Sequence, residues 1–422
     1  MKKHCSLFAV LTAALTVSVC GCGNVDGISP PASSGSIAEQ TSSLMSGLTE
    51  SSSDLSGLTS SVVNSEVGSS TEFPSKCKIY KQTSVQFTDE QLFDWFDRFP
   101  ECGEPQKSEY YSGENHRYKA DGCEGYISDG NCFSFWTKAG NFYDSYYSSV
   151  SSRPYNDPDR VYMSADGELD FASRDEVLQN LRTELAESFG IMPGEWWALE
   201  FSAVKKEGLE AYKQSAYESA YGNTDDTDDT DNPGTAVRRE KEKEYYERIK
   251  DQPARDFYHI EIRYKVDDIP IFYGGILNID KTFLGRLVSG TISSVVYTER
   301  GIEDIVISPA YKTDFSDYTE AELLPAEQAR GLLQKKYEDI ISDSVPEVDD
   351  MKLIYLPIPQ NDLGEYSKRY ELRPHYVLYS TETEVFEGET IVYQVETYFD
   401  AVTGIELASQ MYTENGDMAV MS

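Results

Sequence analysis

The segment that most limits what this chain can become runs from Tyr370 to Leu407. It reads YELRPHYVLYS, an acidic loop, then TIVYQVETYFDAVTGIEL. Tyr370, Leu372, Tyr376 and Leu378 fall on one side of an extended chain, and Glu371, Arg373 and His375 on the other. In the second run Ile391, Tyr393, Val395 and Phe399 oppose Gln394, Glu396 and Asp400. Alternation with period two is what an antiparallel strand with one wet face requires. Residues 400–404, DAVTG, supply a turn in which Gly404 can take a positive φ. A helix predicted over Pro325–Ile341 and a strand over Met351–Pro359, apolar on both faces, complete a helix-on-sheet module at 316–412. A loose tail, 413–422, follows. Three strands under a helix suffice for independent stability where a lone hairpin does not, so this module is expected to fold by itself.

The other end of the chain says where it lives. Lys2 and Lys3 precede an apolar run, Leu7–Val19. At about 13 residues it is too short to span a bilayer and fits the core of a secretory signal. The sequence Val19-Cys20-Gly21-Cys22 resembles the lipobox of bacterial lipoproteins, in which a small residue precedes the acylated cysteine. Gly21 puts that small residue before Cys22, whereas Cys20 follows bulky Val19. Residues 1–21 are therefore read as a lipoprotein signal and Cys22 as the lipidated residue, with an ordinary signal peptide as the competing reading. Residues 22–72 are Ser/Thr/Gly-rich and nearly free of aromatic residues, the composition of a flexible tether. About 50 such residues reach on the order of 40 Å. The expected location is the cell membrane, lipid-anchored and facing away from the cytoplasm.

The chain of 422 residues carries 73 acidic against 37 basic side chains, a formal charge of −36. Without clustered Lys and Arg, nucleic acid is excluded as a natural partner. Thirty Tyr, 18 Phe and 4 Trp suit β-rich domains with half-wet faces, and would also suit a stacking surface for sugars.

Between tether and C-terminal module two further regions are expected. Residues 73–170 hold Cys77, Cys102, Cys123 and Cys132, read as two disulfides of a small β-rich domain with three possible connectivities. Cys123 and Cys132 flank GYISDGN, so a link across that hairpin, leaving Cys77 with Cys102, is the natural local choice. A zinc site is disfavoured because no two cysteines have C-x₂₋₄-C spacing. Thr88–Phe99 reads as a short amphipathic helix and the rest of the region as short strands. Residues 171–315 read as a helix capped by Ser173-x-x-Glu176 and stopped by Gly190, a strand Glu195–Val204, helices over Lys205–Tyr221 and Ala236–Asp251, and alternating strands from Phe257. An acidic insertion, 222–235, separates the two helices. Counting Asp229 as position one gives Asp231, Gly234 and Glu240 at calcium-loop positions, but Pro233 sits where a ligand is needed. No metal and no cofactor is expected.

HIEIRYKVDDIPIFYGG, at 259–275, resembles the strand–turn–strand of PepSY and thermolysin-propeptide domains. LLPAEQARGLLQKKY, YELRPHYVLY and YFDAVTGIEL are similar to PepSY-like domains of the YycH/YycI kind. The resemblance covers about half of residues 22–422 and implies an α+β architecture of tandem helix-on-antiparallel-sheet (PepSY-like) modules. Such modules modulate proteases or sensor kinases outside the cell. No H-E-x-x-H, G-x-S-x-G or phosphate-binding loop occurs. The expected function is a non-enzymatic, membrane-anchored module that binds or regulates an envelope protein or peptide. The alternative is a surface glycan-binding lipoprotein. Glu371, Arg373 and His375 on the polar strand face, with Trp196 and Trp197, form the expected binding surface.

Overall fold

The computed structural model describes residues 73–108, 115–151, 161–165, 167–190, 196–222, 233–272, 276–278, 287–289, 292–338, 346–360, 369–386, 389–413 and 418–419. The signal, lipidation and tether assignments lie outside these residues, as do most of the acidic insertion and most of the tail.

The elements begin with β1 (Lys76–Ser84), α1 (Asp89–Asp97), β2 (Gln106–Lys107), β3 (His116–Lys119), β4 (Cys123–Ser128), β5 (Cys132–Thr137) and α2 (Lys138–Ser151). Next come β6 (Met163–Ser164), α3 (Arg174–Phe189), β7 (Trp196–Val204), α4 (Lys206–Tyr221), α5 (Pro233–Ile249), β8 (Phe257–Val266) and β9 (Ile269–Pro270). Short β10 (Ile276–Asn278) and β11 (Leu287–Ser289) precede β12 (Ile292–Thr298), β13 (Gly301–Ser308) and β14 (Tyr311–Glu322). The series closes with α6 (Ala326–Glu338), β15 (Val348–Pro359), β16 (Arg369–Phe386), β17 (Glu389–Asp400), β18 (Glu406–Thr413) and β19 (Met418–Ala419).

These elements fall into two compact units. The larger holds Lys78–Thr319 and Ile354–Arg373; the smaller holds Glu320–Leu353, Pro374–Ser422 and the chain up to Cys77.

The larger unit is built on a ten-stranded antiparallel sheet in the order β2-β3-β4-β5-β13-β12-β8-β7-β6, with β9 also paired to β8. Local sequence explains its parts. Thr88 caps α1 through a reciprocal pair with Gln91, and Ser173 caps α3 in the same way with Glu176. Gly190 ends α3 in the left-handed conformation at φ 68°. The β8–β9 turn places Asp267 and Asp268 at positive φ, which short polar side chains tolerate.

The alternation of β8 sorts the two faces of the sheet. Tyr258, Ile260, Ile262 and Tyr264 join Phe133, Phe135, Ile305 and Ile307 in a core covered by α1 (Leu92, Trp95, Phe96) and α3 (Val177, Leu181, Leu185, Phe189). On the opposite face Val204, Phe257 and Val296 pack under α2, through Ala139, Phe142, Tyr143, Tyr146, Tyr147 and Val150, and against Leu209 of α4 and Ile249 of α5. A Cβ at Gly140 would lie 2.2 Å from the Glu303 carbonyl oxygen, so α2 touches β13 backbone to backbone.

This overturns the expected α+β tandem of helix-on-sheet PepSY-like modules. The fold is mostly β, built on large antiparallel sheets, and the ten-stranded sheet is covered on both faces. The expected Cys-containing domain is not a separate layer either. β5 pairs with β13, Phe135 opposite Ile305, so residues 123–137 and 292–308 share one sheet. Pairing between strands some 170 residues apart has no local signature, which is why the sequence divides where the sheet does not.

The disulfide follows the same logic. Cys102 and Cys123 are bonded, with Cα atoms 5.6 Å apart, while Cys77 and Cys132 retain their thiols. The expected Cys123–Cys132 link fails on register: Cys132 sits opposite Ser128, and Cys123 opposite Thr137, at the two ends of the β4–β5 ladder. Cys132 instead accepts a hydrogen bond from Ser308 Oγ at 3.1 Å. The expected Cys77–Cys102 link fails with it.

In the smaller unit the strands run in the order β15-β16-β17-β18-β19. Val377 faces Tyr398 and Val395 faces Met411 in the two ladders. Helix α6 buries Ala329 and Leu333. Its Lys336 holds Glu406 at 2.9 Å and Ser409 at 2.8 Å, both from β18. The DAVTG turn forms as read. Asp400 Oδ1 accepts from Val402 N and Thr403 N, and Gly404 takes φ 73°.

Candidate functional site

Of the residues expected to form a binding surface, those whose side chains are described are engaged within the fold. Glu371 is tied to Lys81 at 2.6 Å and to Arg373 at 3.1 Å within the larger unit. His375, in the smaller unit, is only 1% exposed, so the strand face taken as wet is closed at that position. Trp196 and Trp197 pair with Tyr264 and Arg263 in the β7–β8 ladder, and their side chains lie outside the described part.

The polar face of β8 is closed at His259 and Arg263, with Glu261 and Lys265 half-buried, and what covers His259 was missed in the sequence. His259 is buried between sheet and helix, its ring stacked on Tyr147 with centroids 3.6 Å apart and planes at 9°. His259 Nε2 and Asp144 Oδ1, the latter on α2, are 3.2 Å apart. Across the ladder Val296 separates His259 from Asp304. Burial, and then the nearby Asp144 carboxylate, pushes Asp304 well above the usual carboxylate range. Beside it Glu303, 0% exposed, accepts from Thr137 Oγ1 and Thr298 Oγ1 at 2.8 Å and pairs with Arg255 at 3.3 Å.

Ser202, His259 and Asp144 have the residue types of a nucleophile–base–acid set, yet the serine oxygen lies 3.4 Å from the Tyr147 hydroxyl, not on the imidazole. Burial pushes the pKa of that tyrosine hydroxyl well above its usual value. The cluster is a packed polar layer that seats α2 on the sheet. Asp144 and Asp304 could be found from sequence only by placing α2 first.

The feature that remains open is β14. It ends its strand order, β14-β1-β16, with no strand on its outer side among the described residues. From Asp314 to Thr319 every residue is exposed, including Phe315 at 46% and Tyr318 at 44%. Both rings lean on Tyr80 of β1, with centroids 5.6 and 5.9 Å away, and Lys78 Nζ lies 4.9 Å from the Tyr318 ring centre. Ser316 donates to Asp314 Oδ1 through both N–H, 2.9 Å, and Oγ, 2.6 Å. These bonds lower the Asp314 pKa. A long uncovered edge invites pairing, and proteins usually blunt one with charge. Asp314 and Asp317 do so toward any acidic chain, including a second copy, while favouring a basic strand.

No group of His, Cys, Asp and Glu that could hold a metal ion occurs among the described residues, and no helix there is long and apolar enough to cross a membrane. No family model and no curated protein matches the chain. Among solved structures it is similar to an uncharacterized protein from Eubacterium rectale, at 16% identity, over 78% of this chain and 86% of that one, with a TM-score of 0.43.

Proposed function

We propose that this protein is a non-enzymatic lipoprotein, anchored through Cys22 on the outer side of the cell membrane, that binds an extended segment of an envelope protein. The observation that supports it is β14: an uncovered edge strand offering backbone pairing, with Phe315 and Tyr318 beside it and Asp314 and Asp317 along it. An added strand would gain main-chain hydrogen bonds from the edge and side-chain selectivity from alternate positions. The acids select a Lys- or Arg-bearing segment, and the regulatory role implied by the PepSY-like resemblance would be exerted through that partner.

The test places a photocrosslinking phenylalanine analogue at position 315 in the intact lipoprotein, with Val237 on α5 as the exposed control. A single envelope protein captured at 315 and not at 237 is expected, and Phe315→Ser should weaken binding of that purified partner by about tenfold. Equal capture at both positions, or turnover of a peptide or glycan by the purified chain, sinks the reading. For the anchor, Cys22→Ser should abolish labelling by a fatty-acid probe and release the protein from the membrane fraction, and Cys20→Ser should do neither. Labelling that survives Cys22→Ser refutes the assignment.

A further inference from the structure

A second surface, on the ten-stranded sheet and not on the sheet that carries β14, shows a different chemistry. Where α3 meets the end of β12 there is an open cleft of about 380 Å³, lined by Phe171, Glu176, Gln179, Asn180, Tyr297 and Glu299. This volume is at the small end of the range for ligand sites, about 300–1,000 Å³. The Phe171 and Tyr297 rings are nearly parallel, with planes at 14° and centroids 6.4 Å apart. Their support is rigid. Tyr258 donates from its hydroxyl to Ala172 O at 2.8 Å and accepts from Leu169 N at 2.7 Å, which fixes the chain on both sides of Phe171. Ser173 caps α3 immediately after it.

Around the rings stand planar polar groups with unused capacity. Gln179 is exposed, and its side-chain amide makes no hydrogen bond among the described residues. Asn180 Nδ2 donates to the Tyr297 hydroxyl at 3.1 Å, which leaves its carbonyl oxygen open. Glu176 uses Oε2 on Ser173, accepting from its N–H and Oγ, and keeps Oε1. Glu299 lies 3.7 Å from Arg255 Nε, so its charge is partly compensated.

We propose that this cleft binds a neutral saccharide. Aromatic rings offer an apolar surface to the C–H face of a pyranose, and amide and carboxylate groups at the margin meet its hydroxyls as donors and acceptors. An acidic sugar is disfavoured, because Glu176 has no ion-pair partner among the described residues and the lining holds no Lys or Arg. The site shares no residue with β14 and does not depend on the edge-strand reading.

The intact protein is titrated by calorimetry with cellohexaose, laminarihexaose, mannohexaose and chitohexaose, and with hexagalacturonate as the acidic control. At least one neutral hexasaccharide should bind. Gln179→Ala, at an exposed helix position, should weaken that binding by about tenfold, the loss expected when a group pairing with a ligand is removed. Tyr297→Ala should abolish it, and Phe315→Ser should leave it unchanged. Circular dichroism checks that each variant is folded. The proposal is overturned if none of the four neutral sugars binds, if hexagalacturonate binds more tightly, or if Gln179→Ala and Asn180→Ala both retain wild-type affinity.

Discussion

Two single residues carry consequences that their neighbours decide. Gly404 sits at φ 73°, and a Cβ there would meet Leu324 Cδ1 at 3.0 Å and Leu332 Cδ1 at 3.3 Å. Gly404→Val adds backbone strain to that crowding and should cost about 1–3 kcal/mol, read as a lower urea midpoint. Wild-type stability would show that the turn does not need its left-handed residue. Asp304 acts through pH. Its folded-state pKa is raised, so the folded chain holds a proton that the unfolded chain, titrating near 3.9, has released. The contribution to stability is therefore intact below about pH 4 and falls as pH rises from there through the folded value. Asp304→Asn should flatten this dependence and raise relative stability at neutral pH, checked by urea melts from pH 4 to pH 7. An unchanged pH profile in the variant removes Asp304 as its source.

Elements show what a sequence can carry. α3 was legible because its capping box, apolar stripe and terminal glycine are local, and β8 because period-two alternation is local. α2 was not, although its buried Ala139, Phe142, Tyr143, Tyr146, Tyr147 and Val150 keep a helical spacing. Its Tyr and Phe content argues for strand by propensity, and packing on Phe257 and Val296 overrides that preference. Missing α2 hid Asp144, and with it the reason His259 is dry; the same closure at His375 shows that alternation reports polarity and not exposure. β14 was missed because its residues alternate in no consistent way. The disulfide belongs at this scale too. With its ends 21 positions apart in sequence, removing it as Cys102→Ala/Cys123→Ala should destabilise the protein by about 3 kcal/mol. Because β4 and β5 continue into β13, the loss should loosen the whole ten-stranded sheet, not residues 73–170 alone. Hydrogen exchange confined to 73–170 would contradict this. Within residues 73–422, alkylation after denaturation should label Cys77 and Cys132 but not Cys102 or Cys123.

At the scale of the molecule, the expectation of a self-sufficient C-terminal module changes. Tyr355 and Leu372 belong to the core of the larger unit, where Leu372 faces Tyr80 across the β1–β16 ladder. A fragment spanning residues 317–413 keeps both but loses Tyr80. It should show no cooperative thermal transition, whereas residues 73–422 should. A sharp transition in the short fragment, seen by calorimetry, would restore its independence.

β1 has one more consequence, and it is mechanical. Residues 78–84 are flanked by β14 on one side and β16 on the other, with Lys81 and Gln82 opposite Glu371 and Tyr370. It is also the first strand after the segment proposed to lead to the lipid. If the proposed anchor holds the chain, a pull from the membrane would enter the fold at an interior strand held by two hydrogen-bonded ladders, not at a fraying end. The load spreads over two neighbours at once, one of them the edge proposed to carry the partner. Tension on the anchor and occupancy of that edge would then act on the same three strands.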